Sequence, residues 1–125
     1  METLKITGTE DTPNVVFDYN TGEFIISGRS LPEDVTSFYQ PVLEWLDGFS
    51  ANPKDEAKFH FKLEYFNTAS SKILLDVFMK IEEISEDTGK AFTIVWYSQD
   101  SDNDMLEAGE EYSELVTVPF EYISY

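Results

Sequence analysis

Apolar and polar residues alternate most cleanly between Lys58 and Phe66. Phe59, Phe61, Leu63 and Tyr65 fall on one side of an extended chain, with His60, Lys62 and Glu64 on the other, which predicts a half-buried strand. Asn14 to Tyr19 and Glu23 to Gly28 read as two more strands, and Asn20-Thr21-Gly22 between them completes a β-hairpin. Thr3 to Ile6 is a short strand candidate. The period then becomes helical. Ser30-Leu31-Pro32-Glu33-Asp34 offers polar caps, a proline and acids, and Val35, Phe38, Tyr39, Val42, Leu46 and Phe49 follow at helical spacing. Pro41 lies inside this run and is expected to kink or restart the helix, because it lacks an N–H and crowds the preceding turn. Asp47-Gly48 and Asn52-Pro53 mark the exit.

A second helix is predicted from about Ala69 to Glu86, with Ile73, Leu74, Val77, Phe78, Ile81 and Ile84 on its apolar face and Thr88-Gly89 as its stop. Ala91 to Tyr97 is nearly all apolar and predicts a central strand covered on both faces. Ser98 to Asp104 is an acidic loop. Met105 to Leu115 reads as a short helix with few core anchors. Val116 to Ile123 reads as the last strand, where Pro119 predicts an edge position or a bulge. The whole is an α/β chain: a mixed sheet with an N-terminal hairpin. Right-handed crossovers place the helices mainly on one face and leave the other face's aromatics open to a partner. No internal repeat or low-complexity segment interrupts residues 1–125, which read as a single domain.

Composition narrows the function classes. A hydrophobic content of 42% with 15% aromatics suffices for a core, so the formal charge of −17 does not signal disorder. Only 8 Lys and Arg stand against 25 Asp and Glu, which argues against nucleic-acid backbones and anionic membrane surfaces. Acidity by itself names no partner. The absence of cysteine removes disulfide and thiolate chemistry. No signal-peptide run opens the chain, and no apolar stretch reaches the roughly 18 residues of a membrane span, so the cytoplasm is the expected location.

Candidate chemistry gathers at the carboxyl ends of strands, in the loops Phe66 to Ser71 and Ser98 to Asp104. In the first, Asn67 or Thr68 suits a helix N-cap, with Ser70 and Ser71 in the first turn. The same position near a helix N-terminus suits a phosphorylated Thr68, with Lys72 one turn on to meet the phosphate. Asp100-Ser101-Asp102-Asn103-Asp104 has some spacing of a calcium loop, with Glu111 at the twelfth position. Met105 replaces the required glycine, however, and Glu107 stands where an apolar anchor belongs, so a solvated loop is the better reading. His60 has no second histidine or cysteine with which to build a zinc site or a nucleophile pair, and no metal or cofactor is expected. Carboxylates are too numerous for any pair to mark an acid–base couple. Tyr112, Phe120, Tyr122 and Tyr125 read as core plus sheet edge. Three functions remain open on these residues: a phosphoswitch at Thr68, a small acidic enzyme or ligand-binding domain using the loops at Thr68 and Asp100, and a constitutive interaction domain in which Thr68 only caps.

A resemblance weights these alternatives. The opening "GTEDTPNVVFDYNTGEFIISGRSLPED", the helix "VLEWLDGF", the segment "LEYFNTASSK", the strand residues "VWY" and the tail "LEAGEEYSELVTVPFEYI" run nearly end to end. On them the chain resembles the SiaC-like family of small bacterial regulatory phosphoproteins, which have a STAS-like fold related to anti-sigma-factor antagonists. Phe66-Asn67-Thr68-Ala69-Ser70 corresponds to an "LNTSS"-like element, its most specific part, with Phe66 and Ala69 as small departures. Thr68 stands where the family is phosphorylated, amid Asn67, Ala69, Ser70, Ser71 and Lys72. It also matches the phosphoacceptor serine of anti-sigma-factor antagonists, whose following glycine is absent here. The resemblance implies a non-enzymatic partner-switching protein. A dedicated protein kinase would phosphorylate Thr68 and a PP2C-like phosphatase would reverse it. In the best-known branch the unphosphorylated form activates a diguanylate cyclase and raises cyclic di-GMP.

Overall fold

A computed structural model describes residues 1–125. Six strands lie in one sheet in chain order: β1 (Leu4–Ile6), β2 (Asn14–Asp18), β3 (Glu23–Ser30), β4 (Glu56–Phe66), β5 (Ala91–Ser98) and β6 (Phe120–Ser124). The first three pair antiparallel, and β3 to β6 run parallel. The helices α1 (Val35–Ser50), α2 (Thr68–Thr88) and α3 (Asn103–Leu115) each fill one parallel crossover. Every crossover steps one strand in the same direction, so right-handed connections stack all three helices on one face. The hairpin turns at Gly22, whose φ of 76° suits glycine, and the Asp18 carboxylate accepts the Asn20 N–H at 3.0 Å.

The core between sheet and helices is aromatic. Phe17, Phe24, Trp45, Phe49, Phe59 and Phe92 pack ring against ring under α1. Phe61, Phe78, Trp96, Tyr112 and Phe120 form a second group under α2 and α3. The helix does not restart at Pro41; α1 runs from Val35 to Ser50, so Asp47 and Gly48 lie inside it. Proline within a helix costs about 3 kcal/mol. Against this, Tyr39, Val42, Trp45, Leu46 and Phe49 are buried on the same helix, and each large apolar side chain contributes about 1.5–3 kcal/mol. Burial wins. The cap is Asp34, whose carboxylate accepts the Ser37 N–H at 3.1 Å.

Three strands depart from expectation, β5, β4 and β6. β5 is covered by helices on one face only: Phe92, Ile94 and Trp96 point into the core, and Thr93, Val95 and Tyr97 to the open face. Val95 is nevertheless buried, in register between His60 and Glu121. In β4 the alternation breaks before its end. The register passes from Gly28 opposite Leu63 to Arg29 opposite Tyr65, leaving Glu64 as an extra residue, a β-bulge. Tyr65 is therefore not in the core with Phe59, Phe61 and Leu63; it is exposed, with the Arg29 guanidinium 5.4 Å from its ring centroid. Phe66 turns inward instead, against Trp96 and Tyr112.

β6 is an edge strand that starts only after Pro119. Val116 and Val118 are buried in the connection rather than in the strand, and the Thr117 N–H holds this segment to α2 through the Glu82 carboxylate at 2.6 Å. On the open face, Lys58 and Lys62 have partners. Lys58 pairs with Glu121 at 3.2 Å, and the Lys62 ammonium lies 4.6 Å from the Tyr125 ring centroid. His60 bonds Tyr97 at 2.8 Å, and burial with Lys58 nearby lowers its pKa. No helix is long and apolar enough to cross a membrane.

α3 crosses β5 closely because position 109 is glycine: a Cβ there would lie 2.4 Å from Trp96 Cδ1. The Trp96 indole N–H donates to the Met105 carbonyl at 2.8 Å, so the ring cannot swing aside without losing a buried bond. Alanine in a helix gains up to about 1 kcal/mol over glycine, but forced overpacking costs about 1–3 kcal/mol. Gly109→Ala is therefore expected to destabilise the protein in urea unfolding monitored by tryptophan fluorescence. Stabilisation would show that α3 shifts freely over Trp96.

Candidate functional site

β4 ends at Phe66 and α2 begins at Thr68, leaving Asn67 alone at the joint. Asn67 is extended, at φ −86° and ψ 177°, and its side-chain oxygen accepts the Ser70 N–H at 2.9 Å. Of the two capping candidates, Asn67 caps and Thr68 is the first helical residue. The Asn67 N–H donates to the Ser30 carbonyl at 3.1 Å, which ties the start of α2 to the end of β3.

Ser70 completes that tie from inside the protein. It is fully buried, and its hydroxyl donates to the Ser30 carbonyl at 2.8 Å. The Ser30 and Ser70 hydroxyl oxygens are 2.8 Å apart, and Ser30 Oγ is 2.6 Å from Tyr39 Oη. A carbonyl only accepts, so the Ser70 proton is committed to it. Ser30 must then donate to Ser70, and Tyr39 to Ser30. Burial pushes the Tyr39 phenol up to about 12, so it keeps the proton this chain requires. Ser71 is also committed: its hydroxyl donates to the Thr68 carbonyl at 2.7 Å, and its carbonyl accepts the Tyr112 hydroxyl at 2.7 Å. Burial raises the Tyr112 pKa, so that phenol too stays a donor.

None of these bonds uses the Thr68 hydroxyl, which is exposed. The N–H groups of Thr68 and of exposed Ala69 point out of the first turn with no partner inside the helix. α2 has no acidic residue in its first turn, where helices favour acids, although the chain is strongly acidic. Lys72 lies four residues on and so on the same helix face. It is exposed and belongs to none of the three ion pairs, whose cations are Lys58, Lys80 and Lys90.

The second loop meets the first only at Phe66, which shares a hollow with Asp102 and Asp104, and does not reach the Thr68 hydroxyl. Asp102 caps α3 by accepting the Met105 N–H at 3.0 Å. Asp100 turns toward the β6 edge, where its carboxylate accepts from the Ser124 hydroxyl and its N–H donates to the Tyr125 carbonyl. Asp100 and Thr68 line no common hollow. No three His, Asp or Glu side chains are placed to hold a metal ion. Sequence reasoning missed Ser30, Tyr39 and Tyr112 as members of the site. The available signal was Tyr39 on an inward helical stripe, since a buried tyrosine hydroxyl requires a partner.

The fold recurs in known proteins. SiaC of Pseudomonas aeruginosa is 27% identical, with a TM-score of 0.90 and full coverage of both chains. A crystal structure of the diguanylate cyclase SiaD in complex with its activator SiaC from Pseudomonas aeruginosa also matches at 27% identity and a TM-score of 0.90, covering 98% of this chain and 99% of that one. An uncharacterised protein of Pseudomonas aeruginosa (strain UCBPP-PA14) is 28% identical over 120 residues, 96% of this chain and 94% of the relative. The family model of SiaC family regulatory phosphoproteins matches residues 6–125, and the chain belongs to that family.

Proposed function

We propose that this protein is a non-enzymatic cytoplasmic regulator switched by reversible phosphorylation of Thr68. The observation that carries the reading is how the hydroxyls of the joint are used. Ser70 and Ser71 are committed to bonds that hold α2 in place, whereas Thr68 is exposed and uncommitted beside two free N–H groups. A phosphoryl group adds about 1.5–2 negative charges. The acid-free start of α2 and Lys72 on the same face would receive it. Membership of a regulatory phosphoprotein family supports the switch, and the SiaC relative acts as activator of a diguanylate cyclase. By that likeness the effector here is a diguanylate cyclase, with a protein kinase adding the phosphate and a PP2C-like phosphatase removing it. The phosphate acts by charge and by bulk, closing the surface at the start of α2 to close contact.

Intact-mass analysis of protein from native cells is expected to show a species heavier by about 80 Da, one phosphoryl group, that maps to Thr68. A phosphosite elsewhere would sink the assignment. Thr68→Ala and Thr68→Asp are expected to retrieve different sets from kinase, phosphatase and cyclase; identical sets would remove the switching role.

A further inference from the structure

A hollow of about 290 Å³ opens between α2 and α3, and its lining includes Phe66, Lys72, Leu75, Ala108, Glu111 and Leu115. It begins one turn from Thr68, because Thr68, Lys72 and Leu75 lie three and four residues apart on one helical stripe. Met79 extends the stripe at 48% exposure, and Leu115 at 62% is the most exposed large apolar side chain of the protein. The α3 rim is acidic, with Glu111 lining the hollow and in none of the three ion pairs. α3 carries Glu107, Glu110, Glu111 and Glu114 and no cation, and the three ion pairs of the protein use Glu121, Asp47 and Asp55 instead. α2 adds Asp76 and Glu83 on its exposed surface. The open sheet face differs, because Lys58 pairs with Glu121 and Arg29 and Lys62 lie over the Tyr65 and Tyr125 rings.

An apolar floor beside an acidic α3 rim fits one kind of occupant: an amphipathic helix with apolar residues every three to four positions and Lys or Arg along the flank that meets α3. We infer that the α2–α3 groove is a docking surface for a cationic amphipathic helix of a partner protein. Its apolar side chains meet Leu75, Ala108 and Leu115, and its cations meet the glutamates of α3. The site rests on the switch reading only for its neighbour, since Lys72 would be shared between the groove and a phosphate on Thr68. A cationic helix is not repelled by that phosphate; the phosphate would interfere by filling the groove's mouth and engaging Lys72.

The probe is a synthetic leucine–lysine helix of about five turns, titrated into isotopically labelled protein and followed by amide chemical shifts. A leucine–glutamate helix with the same apolar face is the control. Saturable shifts are expected around Leu75, Ala108 and Leu115, with none from the control. Leu115→Asp, an exposed position that leaves the core intact, and Leu75→Asp should each weaken binding by about tenfold or more, the loss from one unburied leucine. Both substitutions add negative charge, so a merely general attraction to an acidic protein would bind the variants more tightly. Tighter or unchanged binding, or shifts centred on Lys62 and Tyr97, would overturn the groove. The Thr68 assignment is unaffected by either result, because it is read by mass.

Discussion

Replacing Phe78 with alanine is expected to remove about 3–5 kcal/mol of stability. Phe78 is fully buried on α2, and its ring stands edge-on to Phe61 and Tyr112 at 4.8 Å, to Phe120 at 5.6 Å and to Trp96 at 6.2 Å. Those four rings come from β4, α3, β6 and β5, so one side chain joins every element of the C-terminal half. Edge-to-face pairs add about 0.5–1.5 kcal/mol beyond area burial, and whole domains are stable by only about 5–15 kcal/mol. With a urea slope of about 1–3 kcal/mol per molar, the unfolding midpoint should fall by at least about 1 M. Leu106→Ala, at an exposed site on α3, should stay within about 0.5 kcal/mol. Equal effects from the two substitutions would show that the aromatic group is not what holds the helices to the sheet.

The second large effect concerns the buried chain Tyr39, Ser30, Ser70. Ser30→Ala is expected to cost about 1–3 kcal/mol, because the Tyr39 hydroxyl loses its acceptor where no water reaches it. Ser70 keeps its bond to the Ser30 carbonyl, so α2 stays anchored. Adding Tyr39→Phe removes the orphaned hydroxyl. The double variant should therefore be more stable than Ser30→Ala alone, a coupling that a double-mutant cycle measures directly. Strictly additive costs would mean that the three hydroxyls do not act as a chain.

The elements most legible in the sequence are those where one period runs undisturbed over many residues. The hairpin, α2 and the strand–helix order follow from such runs, and from them the sheet and the layer of helices. Reading failed where tertiary context overrode a local rule. Pro41 is a helix breaker by local chemistry, but five buried neighbours keep α1 intact. β5 looked covered twice because Val95 is apolar, yet side chains of its own face bury it. At the site, Thr68 and its neighbours were legible from the local pattern and the family resemblance. Ser30 was not, because it lies 40 residues from Ser70 and only the parallel pairing of β3 with β4 brings them together. The choice between Asn67 and Thr68 as cap was likewise unreadable, since either side chain suits the role.

The extra residue at Glu64 has a consequence for where Thr68 points. Successive strand residues face alternately in and out, so the direction in which a strand delivers its last residue depends on whether the preceding count is odd or even. Glu64 changes that parity once, and Phe66 enters the core in register with Ser30 as a result. Were Glu64 paired as an ordinary strand residue instead of bulging out, Tyr65 would turn inward and Phe66 outward, and the start of α2 would rotate away from the Ser30 carbonyl. A residue with no role in the chemistry of the joint thus acts as its parity bit: it encodes, four positions upstream of Thr68 along the chain and one before Tyr65, which side of the sheet the switch is addressed to.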